Sequence, residues 1–132
     1  MADFGEKEQG MELEVMKQRF AVCKLSSMQG INWQDELCFL SRTDQEISLV
    51  CQAEHVPETA ICAEKNWRAF RIRGQLDFAR VGVLSRIAGI LAEGGISIFA
   101  VSTYDTDYVL VREANFDRTL GLLGERGYTI LK

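Results

Sequence analysis

The segment DFARVGVLSRIAGILAEGGISIFAV, residues Asp77–Val101, decides the fold because its hydrophobic pattern changes from helical to strand-like. Its middle carries apolar residues at the spacing of one helix face. The Gly94-Gly95 pair predicts the end of this helix, since glycine tolerates the left-handed conformation of a C-terminal cap. Apolar residues on both faces of Ile96–Val101 predict a strand. The apolar stripe of the helix comprises Val83, Leu84, Ile87, Ile90 and Leu91.

The flanking sequence completes one α+β unit around this segment. Trp67–Arg73 alternates as a strand does, and Tyr108–Arg112 predicts a return strand. Asn115 is a suitable N-cap for a second helix, and Tyr128–Leu131 predicts a last strand. The order is therefore βαββαβ, the ferredoxin-like arrangement, in which an antiparallel sheet carries two helices on one face.

The first half of the chain predicts mostly strands. Arg19–Leu25 is rich in strand-forming residues, and the runs Leu37–Arg42 and Glu46–Cys51 flank a polar break typical of a hairpin. We expect a reduced copy of the same unit, with its first helix shortened to Met28–Trp33. The element order thus predicts a flexible tail over 1–16, with a strand-like stretch at Met11–Val15 near its end. It also predicts a reduced unit over 17–63 and a complete unit over 64–132, in tandem.

Composition narrows the class of function. The chain has 132 residues, of which 47% are hydrophobic and 26% are charged, and its net charge of −4 argues against binding nucleic acid. No apolar run approaches the ~20 residues of a membrane span. The polar start lacks a secretory signal, so we expect a cytoplasmic protein that contacts no membrane.

The residues of catalytic and metal chemistry are sparse. The four cysteines form no C-x-x-C pair, which makes a zinc site improbable, and each lies in or beside an apolar run, which predicts buried, reduced thiols. His55 is the single histidine and lies in a turn with no nucleophile nearby in sequence. A phosphate-binding glycine loop is absent from the sequence. We therefore expect no enzyme, no cofactor and no metal.

The start of the predicted helix is one candidate binding site. The first amides of a helix lack intrahelical partners and carry partial positive charge, so they attract a carboxylate. Asp77 is the nearby side chain able to cap them. If it points elsewhere, the amides of 80–83 are open to an anion, and Gly82 allows close approach to the backbone. The alternative is that water satisfies these amides.

Two further polar features carry open alternatives. Asp105 and Asp107, within Ser102–Asp107, could face an ammonium or guanidinium group or, more weakly, Mg²⁺, or they could simply suit a solvated turn. A group of arginines suits a phosphate or an acidic partner, or covers an exposed sheet edge. These arginines are Arg68, Arg71, Arg73 and Arg80.

Residues 78–98, FARVGVLSRIAGILAEGGISI, resemble the ACT family, regulatory modules that bind amino acids. Together with 102–111, STYDTDYVLV, they resemble stand-alone tandem-ACT proteins related to aspartate kinase regulatory regions and to the cytosolic arginine sensors of animal cells. The resemblance covers most of 18–131. It implies an allosteric amino-acid-binding regulatory protein, with a homodimer as the expected assembly, because ACT-like sheets commonly pair side by side.

The resemblance also implies a ligand site. The ligand carboxylate would meet the backbone at the helix start, while the far end of the ligand would contact Thr103, Tyr104 and Asp107, with Asp107 facing a cationic group. Many family members have an acidic residue and a proline before the glycine, where this chain has Ala79 and Val81. The helix-start residues are Asp77, Phe78, Ala79, Arg80, Val81 and Gly82.

Other departures limit what the resemblance implies about the ligand. Asp77 is displaced from the family's acidic position, and Arg80 stands where the sensor branch has an acidic residue, so arginine is not carried over as the ligand. The alternative function is a structural dimerisation module with a vestigial pocket and no ligand. Binding of any amino acid separates the two hypotheses.

Overall fold

The computed structural model describes residues 10–73 and 82–132. They divide into two units. The N-terminal unit is Gln18–Trp67, and the C-terminal unit combines the chain through Lys17 with Arg68–Lys132. The strands and helices, in chain order, are β1 Glu12–Val15, β2 Phe20–Leu25, β3 Phe39–Arg42, β4 Ile47–Gln52, β5 Ala60–Ile72, α1 Val83–Glu93, β6 Phe99–Ser102, β7 Asp107–Arg112, α2 Phe116–Glu125 and β8 Thr129–Leu131.

The C-terminal unit has the predicted βαββαβ order, and one strand is added to it. Its sheet runs β6-β7-β5-β1-β8, so β1 lies between the first and last strands of the βαββαβ unit. β1 is antiparallel to β5, with Leu13 opposite Ile72, and parallel to β8, with Leu13 opposite Ile130. The fold class is α+β, as predicted, but the sheet is mixed and not wholly antiparallel, because β1 and β8 run parallel.

The expected tail over 1–16 includes strand β1 at residues 12–15, within the stretch Met11–Val15 that was predicted to be strand-like. The alternation in Glu12–Val15 places Leu13 in the core with no exposed surface, while the glutamates flank it on the other face. The alternating pattern covers only four residues. Its assignment to the sheet depends on pairing with β5 and β8, which lie far along the chain. Residues 1–9 lie outside the described residues, and the ranges 17–63 and 64–132 stay a prediction.

The two helices pack on the sheet as their periodicity predicts. α1 buries Val83, Ile87, Ile90 and Leu91, and α2 buries Phe116, Leu120 and Leu123. Each such side chain contributes about 1.5–3 kcal/mol when fully buried. The other core members come from the sheet and its connections: Leu13, Phe70, Ile72, Ile96, Val109, Val111 and Tyr128.

The N-terminal unit keeps the strands of the same arrangement without its helices. Its strand order is β3-β4-β2-β5, and the predicted hairpin is confirmed, with Arg42 opposite Ile47. Residues 26–38 contain no helix, and the second crossover contains only one 3₁₀ turn, Ala53–His55. The prediction of a helix at Met28–Trp33 is wrong, because local turns use the backbone groups that a helix would pair. The Ser27 hydroxyl accepts a hydrogen bond from the Gln29 amide.

The hairpins of the two units correspond at a constant spacing of 60 residues. β3 starts at 39 and β6 at 99, β4 starts at 47 and β7 at 107, and 3₁₀ turns follow at 53 and 113. β4 and β7 also share the same sequence of buried and half-buried positions. This structural repeat was not visible as residue identity.

Among the described residues, no helix has the length and hydrophobicity needed to cross a bilayer.

The cysteines do not all follow the prediction of burial. Cys23 and Cys51 are buried and Cys38 is half-buried, but Cys62 is exposed. Cys62 lies in the first part of β5, where residues 61–66 are exposed on both faces, so an apolar neighbourhood in sequence does not bury it. Burial, together with the neighbouring Cys23 thiol, raises the pKa of Cys51 to about 12. Burial also raises the pKa of Cys23.

We predict that iodoacetamide at about pH 8 alkylates Cys62 first and leaves Cys51 and Cys23 unmodified in the folded protein, because the thiolate is the nucleophile and raised pKa values keep it scarce. Mass spectrometry of the peptides measures the order. Cys62→Ser should remove the fast reaction, and denaturant should make the remaining thiols reactive. Native labelling of Cys51 as fast as that of Cys62 contradicts the burial described.

We also predict that Leu13→Ala lowers the free energy of unfolding by about 2–5 kcal/mol, the usual cost of truncating a buried leucine. Glu12→Ala is the control on the same strand. Its carboxylate is exposed and lies 3.9 Å from Arg73, so its loss should change stability by about 0.5 kcal/mol or less. Urea unfolding measures both. Equal small effects would show that β1 does not contribute to the core.

Candidate functional site

The N-terminus of α1 begins at Gly82, which adopts a left-handed conformation with φ 87° and ψ 4°. Its carbonyl accepts the first helical hydrogen bond, from the Arg86 amide at 2.9 Å. Within 10–73 and 82–132, no side chain caps this end. The first turn therefore presents amides and the positive end of the helix dipole toward an incoming anion. The predicted contacts Asp77, Phe78, Ala79, Arg80 and Val81 lie outside the described residues.

The predicted residue Thr103 closes the hairpin between β6 and β7. Its amide donates to the Thr106 carbonyl at 2.8 Å, and its hydroxyl donates to the same carbonyl at 3.0 Å. Tyr104 lies at the tip with 77% of its surface exposed. The solvated-turn interpretation therefore describes the local geometry of Thr103, and Tyr104 is exposed at the tip of the same turn.

Asp107 opens β7 directly opposite Ser102. The Ser102 hydroxyl donates to its carboxylate at 2.6 Å, which orients the half-buried Asp107 side chain. A carboxylate has about four acceptor positions, so this bond leaves capacity for a cationic group. The exposed Asp105 next to it is a turn residue.

The hairpin and the helix start lie at the same end of the C-terminal unit's sheet. The Thr106 hydroxyl donates to the Ile72 carbonyl at 2.8 Å, which ties the hairpin to the end of β5. α1 is the next element after β5 in the chain. In the βαββαβ arrangement this helix runs back along the sheet, so that β6 starts at the opposite end from the start of α1. The topology thus implies that Gly82 and Asp107 lie at the same end of the sheet. These two residues are predicted to hold opposite ends of a ligand.

A polar cavity of about 540 Å³ adjoins this hairpin and was missed by the sequence analysis. Thr103, Tyr104 and Asp107 are not among the residues that line it. The cavity is lined in part by Glu14 of β1. The sequence analysis did not place Glu12–Val15 in the sheet, and it therefore missed this cavity. The lining residues are Glu14, Arg71, Ile72, Arg73, Asp105, Thr106 and Tyr108.

Arg71 is the centre of this cavity's charge network. Its guanidinium donates to the Tyr108 hydroxyl and to the Glu14 carboxylate, each at 3.2 Å. The hydrogen bond with Tyr108, followed by that with Glu14, raises the pKa of Arg71, so the guanidinium stays charged. Mixed charges of this kind suit a zwitterion, although the present partners already satisfy much of Arg71.

The remaining arginines have separate surroundings. Arg68 stacks on the Phe116 ring at 4.6 Å and donates to the Met16 carbonyl at 3.2 Å, which gives it a structural role. Arg73 is exposed and 3.9 Å from Glu12, a distance that contributes little. Arg80 lies outside the described residues. The described arginines therefore do not converge on one phosphate site.

Comparison with known proteins agrees with the fold of the C-terminal unit. The family model described as ACT domain matches residues 63–125. Residues 63–125 are therefore similar to an ACT domain. A second model, for an N-terminal domain, matches residues 18–59 and so falls within the N-terminal unit.

Curated relatives match part of the chain. The cytosolic arginine sensor for mTORC1 subunit 1 of Homo sapiens is 39% identical over 61 residues, and that of Bos taurus matches equally. The match covers 46% of this chain and 18% of the sensor, so the chain corresponds to a small part of that protein.

Solved structures share the fold. A protein from Agobacterium tumefaciens has a TM-score of 0.82 at 28% identity, with 94% of each chain covered. The regulatory subunit of aspartate kinase from Thermus thermophilus, in its ligand-free form, has a TM-score of 0.63 at 7% identity and covers 86% of this chain and 95% of its own. At 7% identity the second likeness concerns the ACT fold alone.

We predict that Gly82→Ala destabilises the protein by about 1–2 kcal/mol, because a side chain at φ 87° is strained. Gly121→Ala, inside α2, is the matched control. No atom lies within 4 Å of the Cβ it would gain, so alanine's higher helix propensity should leave stability equal or raise it. Thermal unfolding measures both variants, and equal melting temperatures would contradict the left-handed cap.

Proposed function

We propose that this chain binds a free amino acid and acts as a regulatory module. The order of the elements carries the proposal, because it implies that α1 starts, at Gly82, at the same end of the sheet as the hairpin that contains Asp107. An amino acid offers an anion and a cation a short distance apart. A helix start attracts the first, and a carboxylate attracts the second.

In the proposed complex, the ligand carboxylate accepts hydrogen bonds from the backbone of Phe78, Ala79, Arg80, Val81 and Gly82, next to Asp77. The other end of the ligand contacts Asp107, with Thr103 and Tyr104 beside it. The match of residues 63–125 to the ACT domain model supports this placement, as does the similarity to a protein named as an arginine sensor. The proposal does not name the amino acid.

We propose that the chain works by binding and not by catalysis, as a homodimer in the cytoplasm. The structural likeness to a regulatory subunit and the name of the cytosolic relative support this view. A ligand that favours one arrangement of the partners over another would make the module a switch. Among the described residues, no three histidine, cysteine, aspartate or glutamate side chains come together as metal ligands.

A thermal-shift measurement against the twenty amino acids tests the proposal. A ligand at one hundred times its dissociation constant should raise the free energy of unfolding by about 2.7 kcal/mol. Asp107→Ala should abolish the shift because it removes the carboxylate that faces the cationic group.

Asp44→Ala is the matched control, since Asp44 is an exposed acid in the corresponding hairpin of the N-terminal unit. A normal shift in Asp107→Ala removes Asp107 from the site. A shift with none of the amino acids favours the dimerisation module, which sedimentation would then reveal as a dimer independent of ligand.

A further inference from the structure

The N-terminal unit contains a cavity of its own, between the two crossovers that lack helices. The crossovers are tied together by hydrogen bonds: the Ser26 amide donates to the Thr59 carbonyl at 2.8 Å, and the Thr59 hydroxyl donates to the Gln29 carbonyl at 2.8 Å. Gly30 has φ 84°, and a Cβ there would lie 3.3 Å from the Cβ of Pro57. The walls of the cavity are therefore closely fitted.

This cavity has a volume of about 560 Å³ and a mixed polar and apolar lining drawn from both crossovers. All of its lining residues belong to the N-terminal unit, whereas Gly82 and Asp107 belong to the C-terminal unit. It is thus a different site from the proposed amino-acid site. The lining consists of Gln29, Gly30, Asn32, His55, Val56, Pro57, Glu58 and Thr59.

One wall is a histidine held by a buried carboxylate. The Nδ1 atom of His55 lies 2.8 and 3.0 Å from the two carboxylate oxygens of Asp35. The Asp35 side chain is only 6% exposed, while that of His55 is 39% exposed. An ionised carboxylate only accepts, so Nδ1 carries the shared proton and Nε2 is the ring nitrogen left for another partner. Burying a carboxylate is costly, and here it sets the orientation of His55.

The charges around the cavity favour a cation. Glu58 is one of the lining residues, Asp35 pairs with His55, and the lining, as far as the structure describes it, includes neither lysine nor arginine. Gln29 and Asn32 also line the cavity, and the Asn32 side-chain oxygen accepts a hydrogen bond from the Gln34 amide at 3.0 Å. Acceptors and negative charge together match a ligand rich in N–H donors.

We propose that the N-terminal unit binds a small organic cation of the ammonium or guanidinium class in this cavity. The Glu58 carboxylate pairs with the cationic group, and Nε2 of His55 in its neutral form accepts a hydrogen bond from the ligand. The site needs no carboxylate on the ligand. It therefore stands independently of the amino-acid site at α1.

The competing explanation is that Asp35 and His55 only fasten one crossover to the other. That role predicts a loss of stability when the pair is broken, but it predicts no ligand and no role for Glu58. Glu58 is exposed, so Glu58→Gln leaves the fold intact and separates the two explanations.

An NMR titration of the full chain with cadaverine, a diamine without a carboxylate, tests the proposal. Amide shifts should move at 29–32 and 55–59, and glutarate, a dicarboxylate with the same carbon number, should not move them. Glu58→Gln and His55→Gln should each weaken cadaverine binding about tenfold, as expected for loss of a charge-assisted partner. Glu54→Gln is the control, because Glu54 is an exposed acid beside His55 that does not line the cavity.

Three results would overturn the proposal: unmoved amides at 29–32 and 55–59, an equal response to glutarate, or Glu58→Gln binding cadaverine as well as Glu54→Gln does. Asp107→Ala should bind cadaverine normally, and loss of binding in that variant would place the diamine in the other unit. Failure of the amino-acid proposal leaves this result unaffected, since cadaverine cannot supply the carboxylate required at α1.

Discussion

The backbone pairing of β1 with β5 and β8 is the constraint on which the C-terminal unit depends. A four-residue strand from the start of the described chain separates the first and last strands of the βαββαβ unit, and it pairs with both. Its single fully buried side chain, Leu13, joins a core otherwise built from residues 70–128. The unit is therefore discontinuous in sequence, and its sheet is complete only when distant segments meet.

The same sheet edge organises the candidate site. The Arg73 amide donates to the Glu12 carbonyl at 2.9 Å, and the Thr106 hydroxyl donates to the Ile72 carbonyl. These bonds hold the end of β5 between β1 and the hairpin, next in sequence to the segment that leads into Gly82. The hairpin that carries Asp107 is thereby fixed to the end of β5.

The two units share the same β-hairpin, but different elements pack against the sheet in each unit. The 60-residue correspondence includes both strands of each hairpin and the 3₁₀ turn that follows. In the C-terminal unit, helices complete an aliphatic core. In the N-terminal unit, irregular crossovers cover a smaller core that includes Cys23 and Cys51, and hydrogen bonds such as that of Thr59 secure them. The cavity of the N-terminal unit is lined by residues of these crossovers, including Gln29, Asn32 and Thr59. In the C-terminal unit, the helices present apolar faces instead.

Sequence alone determined the elements whose hydrogen bonds and apolar faces are local: α1, α2 and the two hairpins, together with the ACT resemblance of the second half. Tertiary structure decided the place of Glu12–Val15, the absence of a helix at Met28–Trp33, the exposure of Cys62, and the pairing of Asp35 with His55. Each of these features depends on residues distant in sequence, which the local periodicity does not identify. A short strand acquires its face from its neighbours, and a buried carboxylate is tolerated only where a distant residue arrives to meet it.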